Sequence, residues 1–291
     1  MTQAGQTGDG PGQDKRHGGV LQSREVVKFG NDRSYKEQKI KYVITMMAMV
    51  VFMVGAAHAQ VITNNMVYYW QFESNYVDSV GNLNMSGVGS PTFGSGANAQ
   101  VGTYALNVTG ADYAQTVANV GGGLLLNSVR TMSLWFKQNG GNGNQATVSW
   151  GTEAGNGTKF ENLLLSGLSC CHFWGVGYDN SYGAPSYSAD TWTHFAITWD
   201  GSFARTYHNG VHIPGADWGP AAINTQVSLV YAGGGNGSFG TGFAGAIDDV
   251  AVWTRVLSDA DILAIYNAGA AGNDIYSLLS SGTPGTLIYG K

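Results

Sequence analysis

From Met66 to about Ala268 the chain alternates short apolar runs with Gly, Asn, Asp and Ser, the spacing expected of many short strands joined by tight turns. In "TMSLWFKQ", Met132, Leu134 and Phe136 fall on one side of an extended chain and Ser133, Trp135 and Lys137 on the other. That period of two predicts a strand with one buried face. "THFAITWDGSFARTYHNGVHI" sets Asp200-Gly201 and Asn209-Gly210 between apolar or aromatic runs. Such pairs tolerate the positive φ angles of tight turns, so two successive hairpins are predicted. A helix of about two turns is expected only near the end, where Ser258 can cap it and Asp261 favours the N-terminal dipole. Leu257, Ile262, Ile265 and Tyr266 would pin it to a sheet. Beyond Gly269, "AAGNDIYSLLSSGTPGTLIYGK" reads equally as a closing strand or a tail.

One predicted strand, "AGAIDDVAVW" at residues 244–253, carries two carboxylates at its middle. Strict alternation puts Asp248 on a face with Val250 and Val252, and Asp249 with Ile247, Ala251 and Trp253. Both faces are apolar, so at least one carboxylate is expected to point into buried surroundings. An unpaired buried carboxylate costs several kcal/mol or shifts its pKa until it is neutral, and therefore needs a partner.

Composition narrows the choice of partner. Only 11% of the residues are charged, while Gly numbers 44, Trp 8 and Tyr 15, a mixture suited to strands and turns. Residues 1–59 hold eight Lys or Arg against five acids, which leaves residues 60–291 with six cationic side chains and a net charge of −8. The field of Lys and Arg that displaces counterions from phosphates is missing, so nucleic acid is not an expected partner. "KEQKIKYVITMMAMVVFMVGAAHAQ" has a basic start, an apolar run from Tyr42 to Ala57, and a small-x-small ending at Ala57-His58-Ala59. Residues 36–59 are thus expected to be a secretory signal cleaved before Gln60, the apolar run being shorter than the ~20 residues of a membrane span. Residues 1–35 read as disordered or as a gene-model extension.

"VYYWQFESNYVDSVGNLNMSG", "RTMSLWFK", "DTWTHFAITWDGSFARTYHNG" and "FAGAIDDVAVWTRVLSDADILAIYNAG" together resemble the laminin G-like family of concanavalin A-like lectin/glucanase domains. The resemblance runs through residues 64–269 in the family's own order, within a domain expected over 60–269 and a tail or closing strand over 270–291. It implies an all-β jelly-roll sandwich of two curved antiparallel sheets with one short C-terminal helix. It also implies, in many members, a Ca²⁺ ion that holds the N-terminal loop against the late acidic strand. Fold does not fix function, because members include lectin-like modules, adhesion domains and appendages of secreted enzymes.

A hard cation suits the acidic strand chemically, because Ca²⁺ gathers six to eight oxygens from carboxylates, amides, carbonyls and water. "VDSVGNLN" offers such oxygens and matches the family's D-S-x-G-N loop, so the expected metal ligands are Asp78, Asn82, Asp248 and Asp249. The alternative is that Asp248 accepts backbone N–H bonds from that same loop without a metal. "SCCHFWGVGYDNSYGAPSY" concentrates aromatic, carboxylate and amide groups. Trp174, Tyr178, Asp179, Asn180 and Tyr182, with Trp218 in a second loop, are candidate glycan contacts; the competing reading makes the aromatics ordinary strand residues. Cys170 and Cys171 are adjacent, so a disulfide between them is a strained ring, and two thiols are an equal alternative.

The family's glucanases use two Glu flanking an Asp on one strand. Beyond Gln60 the chain has only Glu73, Glu153 and Glu161, none at that spacing, so no enzyme activity is expected. His194, where the family commonly has His, is expected to be a satisfied core residue, and His172 an ordinary strand residue. The leading reading is a secreted, Ca²⁺-supported, lectin-like module binding extracellular glycan, with no membrane span after signal cleavage. The other is a structural or adhesion protein acting through protein partners or through copies of itself.

Overall fold

The computed structural model describes residues 36–47, 62–139, 144–178, 183–234, 237 and 241–280. Residues 36–47 are helical and belong to one contact unit, Met1–Met47; the sandwich belongs to the other, Ala48–Lys291. The expected extension at 1–35 and the cleavage site at Ala57-His58-Ala59 lie outside the described residues. Among the described residues, no helix is long and apolar enough to cross a membrane.

Two sheets face each other. The first has the order β12 (Val211–His212), β11 (Ala204–His208), β10 (Thr193–Trp199), β6 (Arg130–Gln138), β15 (Ala244–Trp253), β4 (Tyr104–Thr109) and β3 (Thr92–Ser95). β1 (Met66–Trp70) also pairs with β15, using residues 250–253 while β4 uses residues 244–247. The second sheet runs β2 (Met85–Val88), β5 (Tyr113–Thr116), β13 (Tyr231–Ala232), β7 (Asn144–Gly151), β8 (Lys159–Leu165) and β9 (Leu168–His172). β14 (Thr241–Gly242) adds the one parallel pair described, to β7. This is the expected sandwich of antiparallel sheets.

Both hairpins of "THFAITWDGSFARTYHNGVHI" form, as β10–β11 and β11–β12. At the second turn Asn209 and Gly210 both adopt positive φ, 50° and 77°, the geometry that suits an Asn-Gly hairpin. The main core lies between the sheets and contains Trp70, Phe136, Trp150, Phe160, Ile197 and Trp199, all fully buried. Burying each such side chain contributes roughly 1.5–3 kcal/mol.

β6 departs from the one-faced expectation. Its core face carries Met132, Leu134 and Phe136, but Ser133 and Trp135 are buried too. The cover is the helix Asp259–Ala270, which lies on the outer face of the first sheet. Tyr266 stacks on Trp135 at 5.6 Å, and Ile262 and Ile265 join Tyr69, Tyr207 and Trp253 in a second apolar cluster. Ser258 accepts from the Asp261 N–H and Asp261 returns a bond to the Ser258 N–H, the expected capping box. The helix has twelve residues rather than about two turns. After it the chain makes neither a strand nor a loose tail through residue 280: Ile275 is buried in the second cluster and Ser277–Ser280 is a short helix. Residues 281–291 lie outside the described set.

Candidate functional site

The two carboxylates sit in β15 because the strand is not regular there. Asp248 is opposite Trp135 and Ala251 opposite Ser133, so three steps on β15 match two on β6: a β-bulge. Asp249 occupies it with φ 52°, a left-handed conformation that Asp tolerates better than most residues. The bulge shifts the alternation. Ile247, Val250 and Val252 all face the main core, while Ala251 and Trp253 face the helix-covered cluster. Asp248 pairs with Trp135 and so belongs to the outer face with Ala251 and Trp253, not with Val250 and Val252 as strict alternation predicted.

Asp248 Oδ2 accepts the N–H groups of Gln100 and Val101, each at 2.9 Å. Its Oδ1 is buried and without a hydrogen-bond partner. Burial, with the neighbouring Asp249 second, holds its pKa well above the usual carboxylate range. Asp249 accepts the Tyr69 hydroxyl at Oδ1. Burial pushes the Asp249 pKa up to about 8, so at neutral pH it is mostly a neutral acid. Burial and this same carboxyl raise the Tyr69 pKa in turn.

The four residues expected to hold Ca²⁺ do not form a cage. Asp78 Oδ1 accepts from the N–H groups of Tyr69 and Val80, and Oδ2 from those of Gly81 and Leu83, at 2.9–3.0 Å. Its lone pairs are thereby committed to closing its own loop. β1 separates that loop from β15, since Trp70 bridges Asp78 and is also in register with Val250. Asn82 is exposed on the turn. Among the described residues no three His, Cys, Asp or Glu side chains converge as metal ligands. Asp248 does accept backbone N–H bonds, but from residues 100–101 rather than from the 78–84 loop.

A pocket of about 300 Å³ opens beside the bulge, lined by Gln71, Glu73, Asp249, Asn273, Asp274 and Ser277 along with the Val101-Gly102 turn. Glu73 Oε1 accepts from the Thr103 and Tyr104 N–H groups. Asp274 accepts from Gln71 Nε2 and from the Ser277 N–H. Neither Glu73 nor Asp274 was expected from sequence to belong to a site; each lies in a loop far from residue 249, and only the bulge and the packed C-terminal segment bring them together.

The aromatic candidates split. Trp218 packs on Phe173 at 4.9 Å, Tyr178 at 5.0 Å and Trp199 at 6.0 Å, and its indole N–H donates to Gly177 O. The Tyr178 hydroxyl donates to Ala222 O. These two rings therefore form a tethered, half-buried wall against the core. Trp174 is half-buried at φ 68°, its ring edge-on to His172. Asp179, Asn180 and Tyr182 lie outside the described residues. Cys170 and Cys171 are consecutive residues of β9. Cys171 enters the main core while Cys170 Sγ faces Leu163 O on the other side. Sulfurs on opposite faces of a strand cannot meet, so the vicinal disulfide does not form.

The chain matches the family model described as the concanavalin A-like lectin/glucanases superfamily over residues 107–263, just over half its length. The chain belongs to this superfamily. No curated protein matches it in sequence. Among solved structures, domain 4 of AbnA, a GH43 extracellular arabinanase from Geobacillus stearothermophilus, is similar at 17% identity and a TM-score of 0.56. That match covers 69% of this chain and 97% of the domain. The binding domain of Paraclostridial Mosquitocidal Protein 1 aligns at 15% identity and TM-score 0.53, covering 71% of this chain. The botulinum neurotoxin serotype D binding domain aligns at 12% and 0.52, covering 72%. In both of these binding domains the match spans 52% of the solved chain.

Within this concanavalin A-like sandwich, two of the three late Glu residues sit in a buried chain of charge on the second sheet. Lys159 Nζ lies 3.1 Å from both Glu153 Oε1 and Glu161 Oε2, and the other Glu161 oxygen bonds His172 Nδ1. Lys159, Glu161 and His172 are all essentially unexposed. His172 is more than an ordinary strand residue. The signal was in the sequence: a two-residue turn at Ser166-Gly167 sets Leu165 opposite Leu168, and hence Glu161 opposite His172.

Proposed function

We propose that this chain is a secreted, non-catalytic, lectin-like module that binds extracellular carbohydrate. The observation carrying this reading is the tethered wall of Tyr178 and Trp218, with Trp174 on the same loop. Rings held by backbone hydrogen bonds at their polar tips keep a fixed apolar face, which costs little entropy when a sugar ring stacks on it. The arabinanase domain of the same fold is described in complex with arabinotriose, which supports the reading. Non-catalytic status rests on the sequence, where no Glu-x-Asp-x-x-Glu strand occurs and Glu153 and Glu161 are engaged by one lysine. Secretion rests on the signal-like segment at 36–59 and is tested by N-terminal sequencing of the exported protein, expected to start at Gln60.

The stapling role expected of Ca²⁺ falls, in this proposal, to the hydrogen bonds of Asp78 and Asp248. The decisive experiment is a glycan array probed with the full chain and with Trp174→Ala, run with and without Ca²⁺. Binding that drops at least tenfold in the variant supports the carbohydrate reading, and binding that ignores chelator supports hydrogen bonds rather than an ion as the staple. An array without signal, together with regular assemblies forming without sugar, would transfer the function to protein contacts.

A further inference from the structure

We propose that the pocket beside the β15 bulge is a second binding site, one that takes a single amino-sugar unit through its ammonium group. It uses none of the aromatic-loop residues and stands or falls independently of the proposal above. Its volume of about 300 Å³ is at the small end of ligand pockets, suited to one ring rather than a chain. Its lining contains three carboxyl groups, on Glu73, Asp249 and Asp274, and no Lys, Arg or His. Negative charge gathered without a cation is unfavourable until a ligand brings one.

The second observation is the state of Asp249. The residue is 3% exposed and its surface is in the pocket wall, yet the Tyr69 hydroxyl at Oδ1 is its one hydrogen bond among the described residues. The other oxygen is left for a ligand. Glu73 and Asp274 already accept bonds from fixed donors, which holds their carboxylates in place before anything binds. Burial first, and then these two carboxylates, keep Asp249 protonated at neutral pH.

A bare metal ion fits poorly, because the carboxyl groups do not converge as ligands. An ammonium group makes three hydrogen bonds in separated directions and needs no such convergence. The Asn273 amide and the amide oxygen of Gln71 are groups of the kind that bind sugar hydroxyls, while Gln71 Nε2 and the Ser277 hydroxyl are engaged by Asp274. Together these features select a ring carrying both an ammonium and hydroxyls.

The test is calorimetric titration of the full chain with D-glucosamine, N-acetylglucosamine and n-butylamine at pH 7. Glucosamine is expected to bind at one site per chain, at least tenfold more tightly than either of the others. Asp274→Asn, nearly isosteric and retaining its acceptor oxygen, should weaken glucosamine at least tenfold. Asn273→Trp, at an exposed position on the rim, should block binding while leaving the fold untouched. Equal affinity for N-acetylglucosamine would remove the ammonium from the proposal, and equal affinity for butylamine would remove the sugar. Glucosamine affinity unchanged in both variants, or no glucosamine binding at all, would overturn the site. Loss of array binding in Trp174→Ala has no bearing on any of these outcomes.

Discussion

At the scale of single residues, two buried groups pull stability in opposite directions as pH changes. Asp249, with its pKa raised to about 8, holds a proton that the unfolded chain releases near 4. Its contribution is therefore fully present below about pH 4 and is lost as pH rises to about 8. His194 is entirely buried between Ser133, Trp135 and Tyr266, and burial lowers its pKa to about 3. The unfolded chain takes up that proton below about 6.5 while the folded chain cannot, so stability is lost as pH falls from 6.5 toward 3. Between them these two groups give a broad plateau of stability from about pH 4 to 6.5, which Asp248, its pKa also raised by burial, tilts toward its acid end. Asp249→Asn, which keeps an acceptor for the Tyr69 hydroxyl, should flatten the alkaline limb and raise the melting temperature at pH 8. A variant whose melting curve follows wild type from pH 4 to 8 would show that Asp249 titrates normally. Asp78 gives a second, simpler expectation. Four N–H groups converge on it in a buried loop, so Asp78→Ala should cost about 3 kcal/mol or more in urea unfolding.

At the scale of elements, what was legible in the sequence was whatever depends on a few neighbouring residues. The Asn209-Gly210 turn, the core face of β6 and the Ser258–Asp261 cap are each set by local chemistry, and each appears as read. The bulge at Asp249 was not legible, because a two-against-one step exists only relative to the partner strand β6. One missed residue misassigned Asp248 and Ile247: Asp248 shares the outer face with Ala251 and Trp253, and Ile247 the core face with Val250 and Val252. The second burial of Trp135 was hidden for the same reason: period two says which side a residue is on, not what later covers that side. The cover can be tested at Gly269, where an added Cβ would come within 2.4 Å of the Trp135 indole nitrogen. Gly269→Val should push the helix away from β6, exposing Trp135 and red-shifting its fluorescence. Ser258→Ala, which removes one cap bond, should cost only about 1 kcal/mol and leave that spectrum unchanged.

At the scale of the whole molecule, a set of hydrogen bonds ties the first loop to the last strand. Tyr69 does so through its two ends. Its backbone N–H donates to Asp78 in the loop, while its hydroxyl meets Asp249 in β15 and accepts the Ile275 N–H from the segment after the helix. Asp248 adds a tie from β15 to the 100–101 turn, which Gln100 fastens to the helix end at Gly269. These contacts do by hydrogen bonding what a divalent cation does by coordination, and they differ from it in one measurable respect: they do not depend on free metal. Thermal unfolding of the full chain in Ca²⁺ and in EDTA should therefore give the same midpoint, whereas Tyr69→Phe, which removes only the hydroxyl, should lower it by several degrees in both. A midpoint that rises with Ca²⁺ and falls with chelator would mean that an ion shares the work of fastening the loop, and that these hydrogen bonds alone do not hold it.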